Sequence, residues 1–60
     1  MSNVNLQELN SIRECVSAHQ TTSAKLHEFA SKCTDQQVKQ MFSQASSQAT
    51  QSAQKLTQML

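Results

Sequence analysis

Two residues of this sequence, Cys15 and His19, have side chains that could bind a metal ion together. They are four positions apart, and this spacing places both on one face of a helix. Zinc accepts thiolate and imidazole ligands, usually four in a tetrahedron. Two copies of the chain that meet near His19 would therefore supply two cysteines and two histidines. The alternative interpretation makes His19 a polar core residue, hydrogen-bonded to Gln48, to Ser23 or to the second copy's histidine.

The remaining reactive side chains do not favour an enzyme. The chain has four carboxylates, and they form no close pair on the apolar side of the predicted helices: Glu8, Glu14, Glu28 and Asp35. No glutamate has a histidine three residues later, as the di-iron bundles require. A chain of 60 residues is also short of the walls that a substrate pocket needs. We expect no catalytic residue and no cofactor.

The second cysteine lies 18 residues beyond the first. On one straight helix Cys15 and Cys33 would be about 27 Å apart, at 1.5 Å per residue. A disulfide needs Cα atoms within about 7 Å, so a bond within one chain is excluded in that case. A disulfide between two chains remains open. His27, which is next to Glu28, is expected on the surface.

Composition excludes several classes of function. The chain contains no Gly and no Pro, which argues against tight turns and phosphate-binding loops. Its five basic residues are scattered and only two residues are aromatic, so we expect no nucleic-acid partner. No apolar run approaches the roughly 20 residues of a membrane span. Residues 1–9 have neither a basic nor an apolar segment typical of a secretory signal, which predicts a cytoplasmic location.

Apolar side chains recur in the first half at alternating steps of three and four residues, a pattern typical of a helix. This stripe consists of Leu9, Ile12, Val16, His19, Ser23, Leu26, Ala30 and Cys33. The same register in the second half holds only Gln and Ser. The apolar residues there lie on another face: Val38, Met41, Phe42, Ala45, Ala49, Ala53, Leu56, Met59 and Leu60. The change of phase near residue 34 predicts two helices, about 5–32 and about 35–59, in a single domain 1–60.

Helix-capping signals agree with these bounds. Asn5, with Glu8 three residues later, is the expected start of the first helix. Thr34 and Gln37 fit the N-cap and third positions of a capping box for the second helix. In that register, residues 33 and 38 would form a hydrophobic staple across the helix start.

A short connection makes the two helices antiparallel neighbours, so the fold class is an all-α, two-helix antiparallel hairpin. Because each helix then contacts only one neighbour, we expect two hairpins to form a four-helix bundle as a homodimer. The residues expected in the core or at the dimer contact are Leu9, Ile12, Val16, His19, Leu26, Phe29, Val38, Phe42, Ala45, Ala49, Leu56 and Met59. The alternative is a regulatory binding module that becomes ordered only on a partner.

The sequence resembles the small coat F-like proteins of spore-forming Firmicutes. In the first helix the resemblance rests on LQEL at 6–9, IRECV at 12–16, HQ at 19–20, KL at 25–26 and FA at 29–30. In the second helix it rests on TDQQVKQMF at 34–42, then on Ala45 and Gln-rich turns up to Leu56 and Leu60. It covers nearly the whole chain.

The resemblance implies a helical hairpin, related to half of a ferritin-like bundle, that dimerises into four helices. It also implies a structural, non-enzymatic role in the spore coat, with itself and other coat proteins as partners. The chain departs from the family's ferritin-type ligands, because His19 stands where a glutamate is common and Gln48 and Gln51 occupy the second helix. Hairpins that bind sporulation regulators are similar in size, but residues 43–47 lack the aspartate of their Ser-Gln-x-x-Asp signature.

Overall fold

The computed structural model describes residues 4–60 and contains two helices, α1 (Leu6–Lys32) and α2 (Gln36–Thr57). Residue 29 contacts residue 42, and residue 23 contacts residue 46. Earlier positions in α1 thus meet later positions in α2, so the helices are antiparallel. No strand occurs in the described residues. The predicted all-α two-helix hairpin is therefore confirmed. The expectation about residues 1–9 falls partly on residues 1–3, which lie outside the described residues.

The start of α1 is the predicted one. The amide N–H of Glu8 donates to Asn5 Oδ1 at 2.8 Å, and the amide N–H of Asn5 donates to Glu8 Oε1 at 3.0 Å. This reciprocal capping box satisfies backbone donors that have no partner within the helix. The position of Asn5 in the sequence therefore sets the first turn of α1.

The start of α2 corrects the prediction that Thr34 is its N-cap. Asp35 occupies that position, and its carboxylate accepts the amide N–H of Val38 at 2.9 Å. A charged acceptor forms a stronger bond than a hydroxyl and also interacts favourably with the positive end of the helix dipole. The helix therefore begins one residue later than expected. The predicted capping box of Thr34 with Gln37 and the staple across residues 33 and 38 are both wrong.

Both helices end in tightened turns. The amide N–H of Cys33 donates to the carbonyl of Ala30, three residues earlier, at 3.2 Å. The last two residues of the chain make the same kind of bond, from Leu60 to Thr57 at 3.0 Å. Such bonds close a narrower turn than the α-helix does and commonly terminate it. They end α2 at Thr57, short of the expected end near residue 59.

The predicted change of phase between the two apolar stripes is confirmed by the exposure of the side chains. Every position of the first stripe is half-buried or buried in α1 and the turn: Leu9, Ile12, Val16, His19, Ser23, Leu26, Ala30 and Cys33. The continuation of that register in α2 is exposed throughout: Gln37, Gln40, Gln44, Ser47, Gln51, Gln54 and Gln58. The second helix instead packs through a different set: Phe42, Ala45, Ser46, Ala49, Ala53 and Leu56.

The contact between the helices is narrow. Only Ala30 and Ala53 are fully buried among the described residues. Three residues expected in the core or at a dimer contact, Phe29, Val38 and Met59, remain 45%, 42% and 42% exposed in the hairpin. Each lies beside the stripe that meets the other helix, and two helices alone provide no second layer to cover it. Within residues 4–60, neither helix has the length and apolar character needed to cross a membrane.

Candidate functional site

The structure brings Cys15 and His19 together on α1, as their spacing predicts. Cys15 Sγ lies 3.5 Å from His19 Nδ1, and the same ring nitrogen lies 2.9 Å from the Cys15 carbonyl oxygen. The carbonyl can only accept, so in the neutral ring Nδ1 carries the proton and donates it. His19 thus bonds within its own helix rather than to Gln48 or Ser23. Its Nε2 is left as the unprotonated nitrogen, the form that binds metals.

The pair would supply two ligands of a tetrahedral metal site once the His19 ring turns, because the nitrogen that faces the thiol here, Nδ1, is the protonated one. Structural zinc sites have four protein ligands. No third cysteine, histidine or carboxylate joins the pair in the part of the chain that the structure describes. The carbonyl bond to Nδ1 is the kind of second contact that orients a histidine ligand. A complete site would require the same two residues from a second chain, and the metal site at Cys15 and His19 stays a prediction.

The two thiols are separate within one chain. Cys15 and Cys33 are both half-buried and free. Cys15 lies near the middle of α1, whereas Cys33 caps its C-terminal end. This agrees with the exclusion of an intrachain disulfide. A disulfide between chains remains a prediction.

Three of the four carboxylates accept hydrogen bonds at a helix start or form an ion pair on the surface. Glu8 and Asp35 cap the starts of α1 and α2. Glu28 accepts from Lys32 Nζ at 2.9 Å, one helical turn away, and both side chains are largely exposed. An exposed pair of this kind contributes little to stability. These contacts assign structural roles to residues that the sequence analysis considered for acid–base chemistry.

A reciprocal pair of serine hydrogen bonds joins the helices, and the sequence analysis missed it. Ser23 Oγ donates to the Ser46 carbonyl at 3.0 Å, and Ser46 Oγ donates to the Ser23 carbonyl at 3.0 Å. Thr50 Oγ1 lies 2.7 Å from Ser23 Oγ. Small hydroxyl side chains at facing positions let the two backbones approach closely enough for these bonds.

An open groove of about 740 Å³ runs along one side of the hairpin. Its walls are small and polar side chains from both helices: Gln20, Ser23, Ala24, His27, Ser46, Thr50, Ala53, Gln54, Thr57 and Gln58. His27 is exposed there, as expected. Among the described residues that line the groove, none is a carboxylate, cysteine or lysine that would add chemistry to the one histidine. It therefore offers hydrogen-bonding surface rather than a reaction centre.

The opposite side of the hairpin is largely apolar, most continuously near the turn. Ala24 lines the groove, and Leu26 lies two residues, or about 200°, further around α1. In α2, Gln54 lines the groove and Leu56 again lies about 200° further around the helix. Along each helix, successive apolar residues on this side are 3, 4 or 11 positions apart, and these spacings are close to whole numbers of helical turns. We call its apolar residues the apolar flank. They are Cys15, Leu26 and Phe29 of α1 with its cap residue Cys33, and Val38, Met41, Ala45 and Leu56 of α2 with Met59 just beyond its end.

No protein-family model matches this chain, and no curated protein or solved structure is significantly similar to it. The resemblance to the coat F-like family stays a prediction that rests on the residues quoted for it.

Proposed function

We propose that this hairpin is a non-enzymatic structural module that associates with a second copy of itself in a four-helix bundle. The observation that carries the proposal is the imbalance between core and surface. Among residues 4–60 only two alanines are buried, whereas six large apolar side chains are 42% to 73% exposed: Leu6, Phe29, Val38, Met41, Met59 and Leu60. Apolar surface that stays in water forgoes about 25 cal/mol per Å² of stabilisation, so covering it favours association.

The exposed area of the chain is large enough for such an interface. The chain exposes 4786 Å². A compact monomer of 6.7 kDa would expose about 3,900 Å², or about 900 Å² less. A stable protein–protein interface covers about 800 Å² on each partner. One contact with a second copy would thus bring the exposed surface close to that of an ordinary globular protein.

Low charge favours a second copy as the partner. The chain has five basic and four acidic residues, and charged residues make up 15% of it. Two identical surfaces with little net charge repel each other weakly. We base the proposed location in the spore coat, and contacts with other coat proteins, on the sequence resemblance alone.

Native mass spectrometry and sedimentation of the reduced full chain test the proposal. We expect a species of twice 6.7 kDa. We also expect a melting temperature that rises with concentration over about a hundredfold range, because association stabilises the folded state by mass action. A monomer with a concentration-independent melt would refute the proposal. Helix content that increases only with an added partner would instead support the regulatory binding module.

Metal binding is a second candidate function, and the arrangement of Cys15 and His19 favours it. A thiol lies beside an imidazole whose Nδ1 is already hydrogen-bonded to a carbonyl. We expect a zinc-dependent mass increase of the dimer that Cys15→Ser abolishes and Cys33→Ser preserves, if two pairs form one site. Equal zinc binding by both variants would exclude a site at Cys15.

A further inference from the structure

We propose that two copies pair through their apolar flanks with both turns at the same end of the bundle. This rests on the proposed self-association and adds to it a face and an orientation. The two-fold axis then runs parallel to the helices, and α1 of each copy lies against α2 of the other. The occupant of the apolar flank is a second copy of the same flank.

The apolar flank has its large side chains near the turn. Between the serine pair and the turn it carries Leu26, Phe29, Cys33, Val38, Met41 and Ala45, with no polar member. Toward the chain termini, the same faces of the helices also carry polar side chains that interrupt the apolar surface: Glu8, Thr22, Gln48 and Ser52. The flank therefore has a continuous apolar half at the turn and a mixed half at the termini.

Turn-to-turn pairing brings the two apolar halves together. Phe29 lies six residues from Ser23 toward the turn, and Met41 lies five residues from Ser46 in the same direction. At 1.5 Å per residue, these side chains are within about 1.5 Å of the same height along the bundle. Phe29 of one copy therefore faces the partner's Met41, and the symmetry repeats the contact. Phe29 is 45% and Met41 67% exposed in the hairpin, so both have surface to bury.

The reversed orientation places an apolar side chain of one copy beside a charged side chain of the other. Reversal about the middle of α1, at residue 19, sets Phe29 within a residue of the partner's Glu8. The Glu8 carboxylate is already used by the capping box with Asn5, and burying it beside an aromatic ring removes its contact with water. Burial of a charge without a compensating partner is costly. The turn-to-turn orientation avoids this contact.

The orientation also determines where the Cys15–His19 pairs of the two copies lie relative to each other. In the turn-to-turn bundle, α1 of one copy lies diagonally across from α1 of the other. The two pairs then lie on helices that do not contact each other directly. In the reversed bundle, α1 packs against α1, and the pairs meet near its middle. The measured orientation thus shows whether the two pairs lie on neighbouring or on diagonal helices.

Distances between spin labels on the two copies measure the orientation. The label is placed at the turn in the full-length variant Cys15→Ser/Cys33→Ser/Thr34→Cys. We expect an interchain distance of about 20–30 Å, because neighbouring helices lie about 10 Å apart. The reversed bundle would give about 45 Å or more, the length of the hairpin. A label at mid-length, in Cys15→Ser/Cys33→Ser/Ser47→Cys, is the control, because both orientations give a short distance there.

A matched pair of substitutions tests the face. Met41, on the apolar flank, is 67% exposed, and Leu6, which shares the groove side of α1 with Gln20, is 73% exposed. We expect Met41→Lys to weaken the dimer by at least about tenfold, as for a central interface residue. Leu6→Lys should change dimerisation little. Equal weakening by both substitutions would refute the flank as the interface.

The outcomes distinguish the two proposals. A stable dimer with a turn-to-turn distance near 45 Å overturns the orientation and leaves the proposed self-association intact. A dimer with the short distance and selective weakening by Met41→Lys supports both. A chain that stays monomeric overturns both together.

Discussion

The reciprocal serine bonds are the contact most amenable to a quantitative test, through the substitution Ser46→Ala. This change removes the hydroxyl that donates to the Ser23 carbonyl at 3.0 Å. The same hydroxyl lies 3.2 Å from Ser23 Oγ. The Ser46 carbonyl stays in place and still accepts from Ser23. One interhelical donor is therefore deleted while the rest of the helix is unchanged.

Two terms of opposite sign determine the magnitude. Loss of a neutral hydrogen bond costs about 1 kcal/mol net. Replacement of serine by alanine inside a helix gains about 0.5 kcal/mol from intrinsic propensity. Ser46→Ala should thus destabilise the hairpin by about 0.5 kcal/mol. Ser47→Ala, at the exposed neighbouring position, should gain the propensity term alone.

The assay compares the thermal melts of both variants at one protein concentration, because association makes the melting temperature concentration-dependent. The expected difference of about 1 kcal/mol corresponds to about 4–8 °C for a domain of this size. The double variant Ser23→Ala/Ser46→Ala should cost less than the sum of the single changes, because the two bonds share partners. Equal melting temperatures for Ser46→Ala and Ser47→Ala would show that the serine pair does not stabilise the contact.

Three further predictions concern caps, packing and the histidine. Asp35→Ala should cost about 1 kcal/mol of helix stability and Thr34→Ala much less, measured by circular dichroism melts; the reverse order would restore Thr34 as the cap. Phe42→Ala, which removes a ring 5.7 Å from that of Phe29, and Leu26→Ala should each cost about 2 kcal/mol or more; silent melts for both would disprove the packing stripe. His19→Leu should leave the melt unchanged or raise it, because its hydrogen bonds lie within one helix; a lower melt would indicate a ligand or network role.

The helices of this fold could be predicted because their determinants are local. The stripe from Leu9 to Cys33, its loss of phase near residue 34 and the Asn5–Glu8 capping box are all properties of neighbouring residues. Steps of three and four residues record which side of a helix meets apolar surroundings. The antiparallel arrangement then follows from the shortness of the connection.

Details that depend on competition or on register could not be predicted. Thr34 and Asp35 are adjacent, and both residue types are good caps; only the geometry shows that the carboxylate reaches the Val38 amide. The Ser23–Ser46 bonds require facing positions on two helices to match within one residue. A pattern along a single helix carries no information about that match. For the same reason, the sequence does not show on which side of the stripe the groove forms.

The polar bonds at the centre of the interior contact fix its register, and larger side chains such as Leu26 and Phe42 contribute more of its stability. At its centre, Ser23 and Ser46 exchange bonds to each other's carbonyls, and a slip of one turn would remove both partners at once. Ala30 and Ala53, the buried residues among those described, bury little area per side chain. Large apolar side chains such as Met41 are left outside this contact. Narrow helix pairing fixes the relative position of α1 and α2, and this fixed position sets Phe29 and Met41 at one height on the same flank. A second copy can then gain from burying them without first reorganising the hairpin, so little ordering entropy opposes association.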